Sequence, residues 1–289
     1  MNYIFFGTPE FSTIILGKLI EAGYIPSGVV CNPDRPVGRK KIITPPPIKQ
    51  MIGNQELNIK NKIKILQPQK LDDTFINELK ELEPDLFIVA SYAKIISRKV
   101  LDVPRIGTIG THPSILPKYR GTSPIQNQIL GGDKIGGTTL YLMDEGMDSG
   151  KIITQGEIQI SNRETYLSLH DKLAKLSADL LIETLPKFLA GEIKPQEQNH
   201  KQATFTKKFI TQDGFIEYKE LEKAQNDGGL TAIEIDRKIR ALNPEPGVWT
   251  LRQVQGKPQR MKILDGELTP ENKLRLKVIQ YEGKNPVKI

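Results

Sequence analysis

Tyr3-Ile4-Phe5-Phe6-Gly7-Thr8-Pro9-Glu10 is a short apolar run closed by glycine, threonine and proline. A helical pattern over residues 9–22 follows it, and then a second apolar run, Ser27-Gly28-Val29-Val30-Cys31. A strand with no polar/apolar alternation is one buried on both faces, and a helix between two such strands is the sequence form of a βαβ unit. The pattern recurs further on: an amphipathic stretch at 72–82 leads into the apolar residues 86–90, and residues 107–111 form another short run. This predicts an α/β fold, a mostly parallel sheet with helices on both faces, whose ligands sit beyond the carboxyl ends of the strands. Thr8 as N-cap with Pro9 in the first helical position accounts for the start of the first helix.

Residues 164–189 read as one long helix with Leu169, Leu173, Leu176, Leu180 and Phe188 along one face and Gly191 beyond its end. Residues 194–206 turn polar and read as a linker, which divides the chain into domains at 1–193 and 207–289. The second part holds one clear helix at 232–242, with Thr231 and Glu234 as a capping box and Pro244 and Pro246 as stops. Its apolar residues Ile235, Ile239 and Leu242 leave Arg237, Lys238 and Arg240 turned largely elsewhere. Short β segments follow at 261–264 and 274–279.

Two loops carry the chemistry. One is Thr111-His112-Pro113-Ser114-Ile115-Leu116-Pro117-Lys118-Tyr119-Arg120-Gly121, at the end of an apolar run; the other is Met143-Asp144-Glu145-Gly146-Met147-Asp148-Ser149-Gly150. Prolines fix φ near the histidine and glycines bracket Asp148, so both backbones are shaped to hold a group still. An imidazole oriented by a carboxylate is a general acid/base unit.

The remaining composition narrows the class. The chain has 289 residues and 41 Lys+Arg against 34 Asp+Glu, a net charge of +7, which suits an anionic partner. Residues 205–289 hold 16 of those cations against 12 anions, so the excess is denser there and favours a nucleic-acid contact. Asp34-Arg35-Pro36-Val37-Gly38-Arg39-Lys40-Lys41 is a basic run that, taken alone, reads as solvated charge. Cys31 is the single cysteine, a buried structural thiol that excludes an internal disulfide and a cysteine metal cluster. His112, His170 and His200 show no ligand spacing, and no metal is expected. No stretch nears the roughly 20 apolar residues that span a bilayer. The start lacks a secretory leader, so a cytoplasmic protein is expected.

The two loops resemble those of the folate-dependent formyltransferases. The likeness begins at Gly7-Thr8-Pro9-Glu10-Phe11, runs through Pro33–Arg39 and both loops, and returns at Arg240-Ala241-Leu242-Asn243-Pro244-Glu245-Pro246-Gly247-Val248-Trp249-Thr250, so it covers nearly the whole chain. Within that family it is similar to the branch whose acceptor is methionyl-tRNA. The resemblance implies a Rossmann-like formyltransferase domain and then a smaller OB-like β-barrel. It also implies 10-formyltetrahydrofolate as co-substrate without metal, initiator methionyl-tRNA as partner, and a monomer. His112 and Asp148 are then the catalytic pair. The pterin is expected between the second loop, with Asp144 and Glu145, and the strand end Val89, Ala90 and Tyr92, beside Ser114, Leu116 and Pro117. Arg35, Arg39, Lys40 and Lys41 face the tRNA acceptor end, with Arg237, Lys238 and Arg240 as further contacts.

One position departs from the family, which has an asparagine two residues before the histidine where this chain has Gly110. Loss of a preorganised donor to a developing oxyanion costs about 2.7–4 kcal/mol. A backbone N–H, a water, Thr111 or Gln126 would have to stand in. Two rival readings follow: a formyltransferase for an amino sugar or other small amine, and a tRNA-binding protein whose catalysis was lost with Gly110. The chain also ends soon after a strand, at Lys288-Ile289, which leaves the last barrel element shortened or absent.

Overall fold

The computed structural model describes residues 1–38 and 40–289. Its strands are β1 (Tyr3–Gly7), β2 (Gly28–Val30), β3 (Arg35–Val37), β4 (Ile42–Thr44), β5 (Lys64–Leu66), β6 (Leu86–Ala90), β7 (Gly107–His112), β8 (Arg120–Gly121), β9 (Ile135–Leu142), β10 (Ile152–Gln159), β11 (Phe205–Thr206), β12 (Val248–Val254), β13 (Lys257–Leu268), β14 (Leu274–Tyr281) and β15 (Val287–Lys288). The helices are α1 (Glu10–Glu21), α2 (Pro47–Gly53), α3 (Leu57–Lys60), α4 (Asp73–Lys80), α5 (Arg98–Leu101), α6 (Pro124–Gly131), α7 (Tyr166–Leu189), α8 (Tyr218–Asn226) and α9 (Gly229–Leu242). Two compact units result, Met1–Gly121 with Gly137–Ile158 and His170–Phe205, and Thr122–Gly136 with Gln159–Leu169 and Thr206–Ile289. Among the described residues no helix is long and apolar enough to cross a membrane.

The first unit is built on a seven-stranded sheet in the order β10-β9-β7-β6-β1-β2-β5. The five strands from β7 to β5 run parallel, and β9 is antiparallel to β7. All five residues of β1 and of β6 are buried, as expected of strands covered on both faces. Each large apolar side chain withdrawn from water there contributes about 1.5–3 kcal/mol. Helix α1 starts one residue later than the sequence predicts. Pro9 is its N-cap residue, and the Thr8 hydroxyl instead accepts a hydrogen bond from Asn32 N at 3.1 Å. In α7 the buried stripe runs through Leu173, Ser177, Leu181 and Leu185, while Leu176 and Leu180 are half-buried and lie over Gly156. Ser177 is tolerated inside because its hydroxyl bonds both Thr138 Oγ1 and the Leu173 carbonyl.

Cys31 is fully buried, and burial pushes its thiol up to about 11. Thiolate is the reactive species, so Cys31 is expected to resist a thiol-titrating reagent at pH 8 in the folded protein and to react once the chain is denatured. Fast labelling of the native protein would contradict this burial.

The second unit carries a four-stranded antiparallel sheet in the sequential order β12-β13-β14-β15, with α8 and α9 packed on it. The α/β unit is the one the sequence pattern predicts, and the smaller unit with its antiparallel sheet is consistent with the small β domain that the family resemblance implies. Helix α9 begins at Gly229, ahead of the Thr231 start that the capping-box pattern suggests. Gly228 at φ 74° makes the turn, Gly229 N donates to the Asn272 carbonyl at 3.1 Å, and contact with the β13–β14 turn thereby sets the helix start.

Candidate active site

The parallel register aligns Gly7 with Ala90 and Ala90 with Thr111, so β1, β6 and β7 end on one edge of the sheet. His112 is the last residue of β7 and is buried at 5% exposure. The loop after it is tied down at several points. Ser114 Oγ donates to the Lys118 carbonyl at 2.6 Å, Leu116 N donates to Thr139 Oγ1 at 3.0 Å, and Thr139 Oγ1 donates to the Ser114 carbonyl at 2.7 Å. Tyr119 sits at φ 61°, a left-handed conformation uncommon outside glycine, and its carbonyl oxygen lies 2.8 Å from His112 Nε2. A carbonyl can only accept, so Nε2 carries the proton.

The other ring nitrogen faces Asp148, with Nδ1 3.6 Å from Oδ2. That exceeds a hydrogen bond, so the contact is one of proximity, with the carboxylate facing that ring nitrogen. Asp148 also adopts a left-handed backbone, at φ 49°. Its Oδ1 accepts from the Tyr141 hydroxyl at 2.7 Å and its Oδ2 from Gly121 N at 2.8 Å. Gln198, which the sequence assigns to a polar linker, is buried, and its Nε2 donates to the Asp148 and Gly150 carbonyls at 2.9 and 2.7 Å. Arg120 in turn donates to Gln198 Oε1. The polar stretch holding Gln198 is thus fastened by hydrogen bonds where apolar contacts would normally serve. A Cβ on Gly150 would fall on the Leu142 carbonyl oxygen, so only glycine lets this loop pass β9.

Other predicted residues are distributed as follows. Val89 and Ala90 are buried in β6. The Tyr92 ring packs edge-on against Phe6 at 5.5 Å, while its hydroxyl is buried without a hydrogen-bond partner among the described residues. Desolvation raises that phenol to about 12, so it remains a donor at neutral pH. Ser114 and Leu116 are buried, with the Ser114 hydroxyl spent inside its loop, and Pro117 is half-buried. Asp144 accepts from Gly146 N and Ser149 Oγ and shapes the second loop, and Glu145 is exposed. Thr111, one of the two side chains offered as stand-ins for the absent amide, spends its hydroxyl on the Val89 carbonyl at 3.3 Å.

The basic run forms a hairpin of β3 and β4 on which Arg35, Lys40 and Lys41 are exposed, together with Val37, Ile42 and Ile43. Arg39 lies outside the described residues. The one anion of the run is neutralised: hydrogen bonds from Gln67 and Lys49 hold the Asp34 carboxyl below the usual carboxylate range. In the second unit the Arg237 guanidinium packs on Gly132. Lys238 Nζ donates to the Phe215 carbonyl at 2.7 Å, and burial lowers its ammonium below the ordinary lysine range. Arg240 is buried, with Nε on Asp236 at 2.8 Å and Nη1 on the Glu164 carbonyl at 2.8 Å. Its charge serves that unit's interior. A cavity of about 350 Å³ in the second unit is lined by Leu167, Ile239, Pro244 and Lys262 among others, and contains none of the His112–Asp148 set.

Comparison with known proteins fixes the family. Residues 1–185 match the formyl transferase family model. The methionyl-tRNA formyltransferase of Chloroflexus aurantiacus is 38% identical over 262 residues, 90% of this chain and 79% of its own length. The chain belongs to the methionyl-tRNA formyltransferase family. It is therefore a formyl-transferring enzyme. Among solved structures, a 4-N formyltransferase from Francisella tularensis aligns with TM-score 0.64 at 18% identity, over 89% of this chain and 95% of that one. The methionyl-tRNA formyltransferase from Clostridium thermocellum aligns with TM-score 0.58 at 16% identity, over 97% and 98%. At those identities the two structures speak for the shared fold.

Proposed function

We propose that the chain is a cytoplasmic, monomeric enzyme that formylates the amino group of methionine on initiator tRNA, with 10-formyltetrahydrofolate as the donor of the formyl group. The observation that carries the site assignment is the 3.6 Å approach of His112 Nδ1 to Asp148 Oδ2 at the carboxyl edge of the sheet. During transfer the acceptor amine attacks the formyl carbon and loses a proton, and the formyl oxygen gains negative charge in the tetrahedral intermediate. The bond from that carbon to the folate nitrogen then breaks as the nitrogen takes up a proton, so the protein must supply a donor to the oxygen and a relay for the proton. With Nε2 committed to the Tyr119 carbonyl, Nδ1 is the nitrogen that meets substrate. Asp148 stabilises a proton on that nitrogen and keeps the ring oriented. For the folate, the fit rests on the strand end Val89–Tyr92. There main-chain groups terminate a parallel sheet, and the buried Tyr92 hydroxyl lacks a partner among the described residues. On the same reading Ser114, Leu116, Pro117, Asp144 and Glu145 are the further folate contacts.

On this reading the hairpin cations Arg35, Arg39, Lys40 and Lys41 bind tRNA phosphates, with Arg237 and Lys238 in secondary roles. Binding should weaken steeply with salt. Replacing Arg35, Lys40 and Lys41 together by alanine is expected to flatten the log–log salt dependence by about three, one per charge. An unchanged slope would remove the hairpin from the interface. A single-turnover assay with labelled formyl donor, run on methionyl-tRNA beside a panel of amino sugars, tests the whole proposal. Transfer confined to the sugars, or tRNA binding without turnover, would overturn it.

A further inference from the structure

Gly110 and Tyr141 stand directly opposite each other on β7 and β9, where antiparallel partners project to the same face. A Cβ built on Gly110 would lie 2.6, 2.7 and 2.9 Å from Tyr141 Cε1, Cζ and Oη. The phenol end of Tyr141 therefore fills the volume that any side chain at 110 would need. From that volume its hydroxyl donates to Asp148 Oδ1 at 2.7 Å. The other carboxylate oxygen, Oδ2, is held by Gly121 N and faces His112. With both oxygens fixed, Asp148 cannot rotate away from the imidazole, and one of those two restraints is a side chain that reaches it only because residue 110 is glycine.

We propose that Tyr141 is a positioning residue for formyl transfer: its hydroxyl aims the Asp148 carboxylate at His112 from the space vacated at position 110, so that Gly110 and Tyr141 function as a matched pair. This rests on the reading of His112 and Asp148 given above. Gly110 is then the condition for a restraint on Asp148, a role separate from that of the oxyanion donor the family asparagine would supply. Burial, with the adjacent Asp148 charge, raises the Tyr141 phenol well above its ordinary range, so the hydroxyl keeps its proton and its role is to donate.

Tyr141→Phe keeps the ring and removes only the hydroxyl. Hydrogen bonds to charged groups are the strong class, and kcat is expected to fall roughly 10- to 100-fold with KM for both substrates little changed. Gly110→Ala should evict the ring and cost about as much in the wild type, yet cost little more in the Tyr141→Leu background. A readout independent of turnover is the ring ¹⁵N chemical shift of His112, assigned through His112→Gln, which should move in Tyr141→Phe while the thermal midpoint stays close to that of the wild type. Wild-type kcat and an unmoved His112 signal in Tyr141→Phe would overturn the proposal. So would a Gly110→Ala penalty that is the same in both backgrounds. Absence of transfer by the wild type would instead defeat the functional reading, and the His112 shift would still test the Tyr141 contact.

Discussion

His112→Ala is expected to lower kcat for formyl transfer by about 10²–10⁴, the usual contribution of a positioned acid/base group, with a much smaller effect on KM. Asp148→Asn should be nearly as damaging, although the two side chains have the same shape. Asp148 receives donors on both oxygens, Tyr141 Oη on one and Gly121 N on the other. An amide can keep its oxygen on Gly121 N and donate its NH₂ to the Tyr141 hydroxyl oxygen, so the side chain keeps its place but brings no negative charge to His112. Because the two residues act as one unit, His112→Ala combined with Asp148→Ala should be no slower than the worse single variant. Steady-state rates on methionyl-tRNA decide this, and losses that simply multiply would mean that the two groups work independently.

Much of this arrangement can be read from residues, and the part that cannot has a common cause. Strands β1 and β6 are legible because both faces are covered, which forces an unbroken apolar run. His112 and Asp148 stand out because their loops need prolines and glycines at fixed places. Tyr141 does not stand out: in Thr138-Thr139-Leu140-Tyr141-Leu142 it is an aromatic residue in a buried strand, and its role depends on which residue the neighbouring strand sets opposite it. An aromatic facing a glycine across a ladder is the one available signal, and it requires the register. Gln198 is missed for a related reason, since a polar residue that caps loop carbonyls has the composition of a linker. The α9 start is misread because its turn is set by the Asn272 carbonyl, more than 40 residues away in sequence.

The same dependence on tertiary context decides the fate of Arg240, which the sequence offers as a phosphate contact. Arg240 and Asp236 are both buried, at 9% and 2% exposure, and form an i,i+4 pair within α9. Arg163 adds a second cation at 3.4 Å from Asp236 and reaches the Gly266 carbonyl, while Arg240 also holds the Glu164 carbonyl. Removing the carboxylate leaves a desolvated guanidinium with half its partners, so Asp236→Ala should destabilise the second unit by about 3–5 kcal/mol. Replacing both members by apolar residues of similar volume, Asp236→Leu with Arg240→Met, should recover most of that loss, because the pair's mutual attraction largely offsets its own desolvation. Urea denaturation followed by Trp249 fluorescence measures both variants, and an Asp236→Ala midpoint equal to that of the wild type would mean the pair is not buried in solution. The double variant also separates structure from binding. If Arg240 acts inside its unit, the salt slope for tRNA is unchanged in that variant while the hairpin substitutions flatten it.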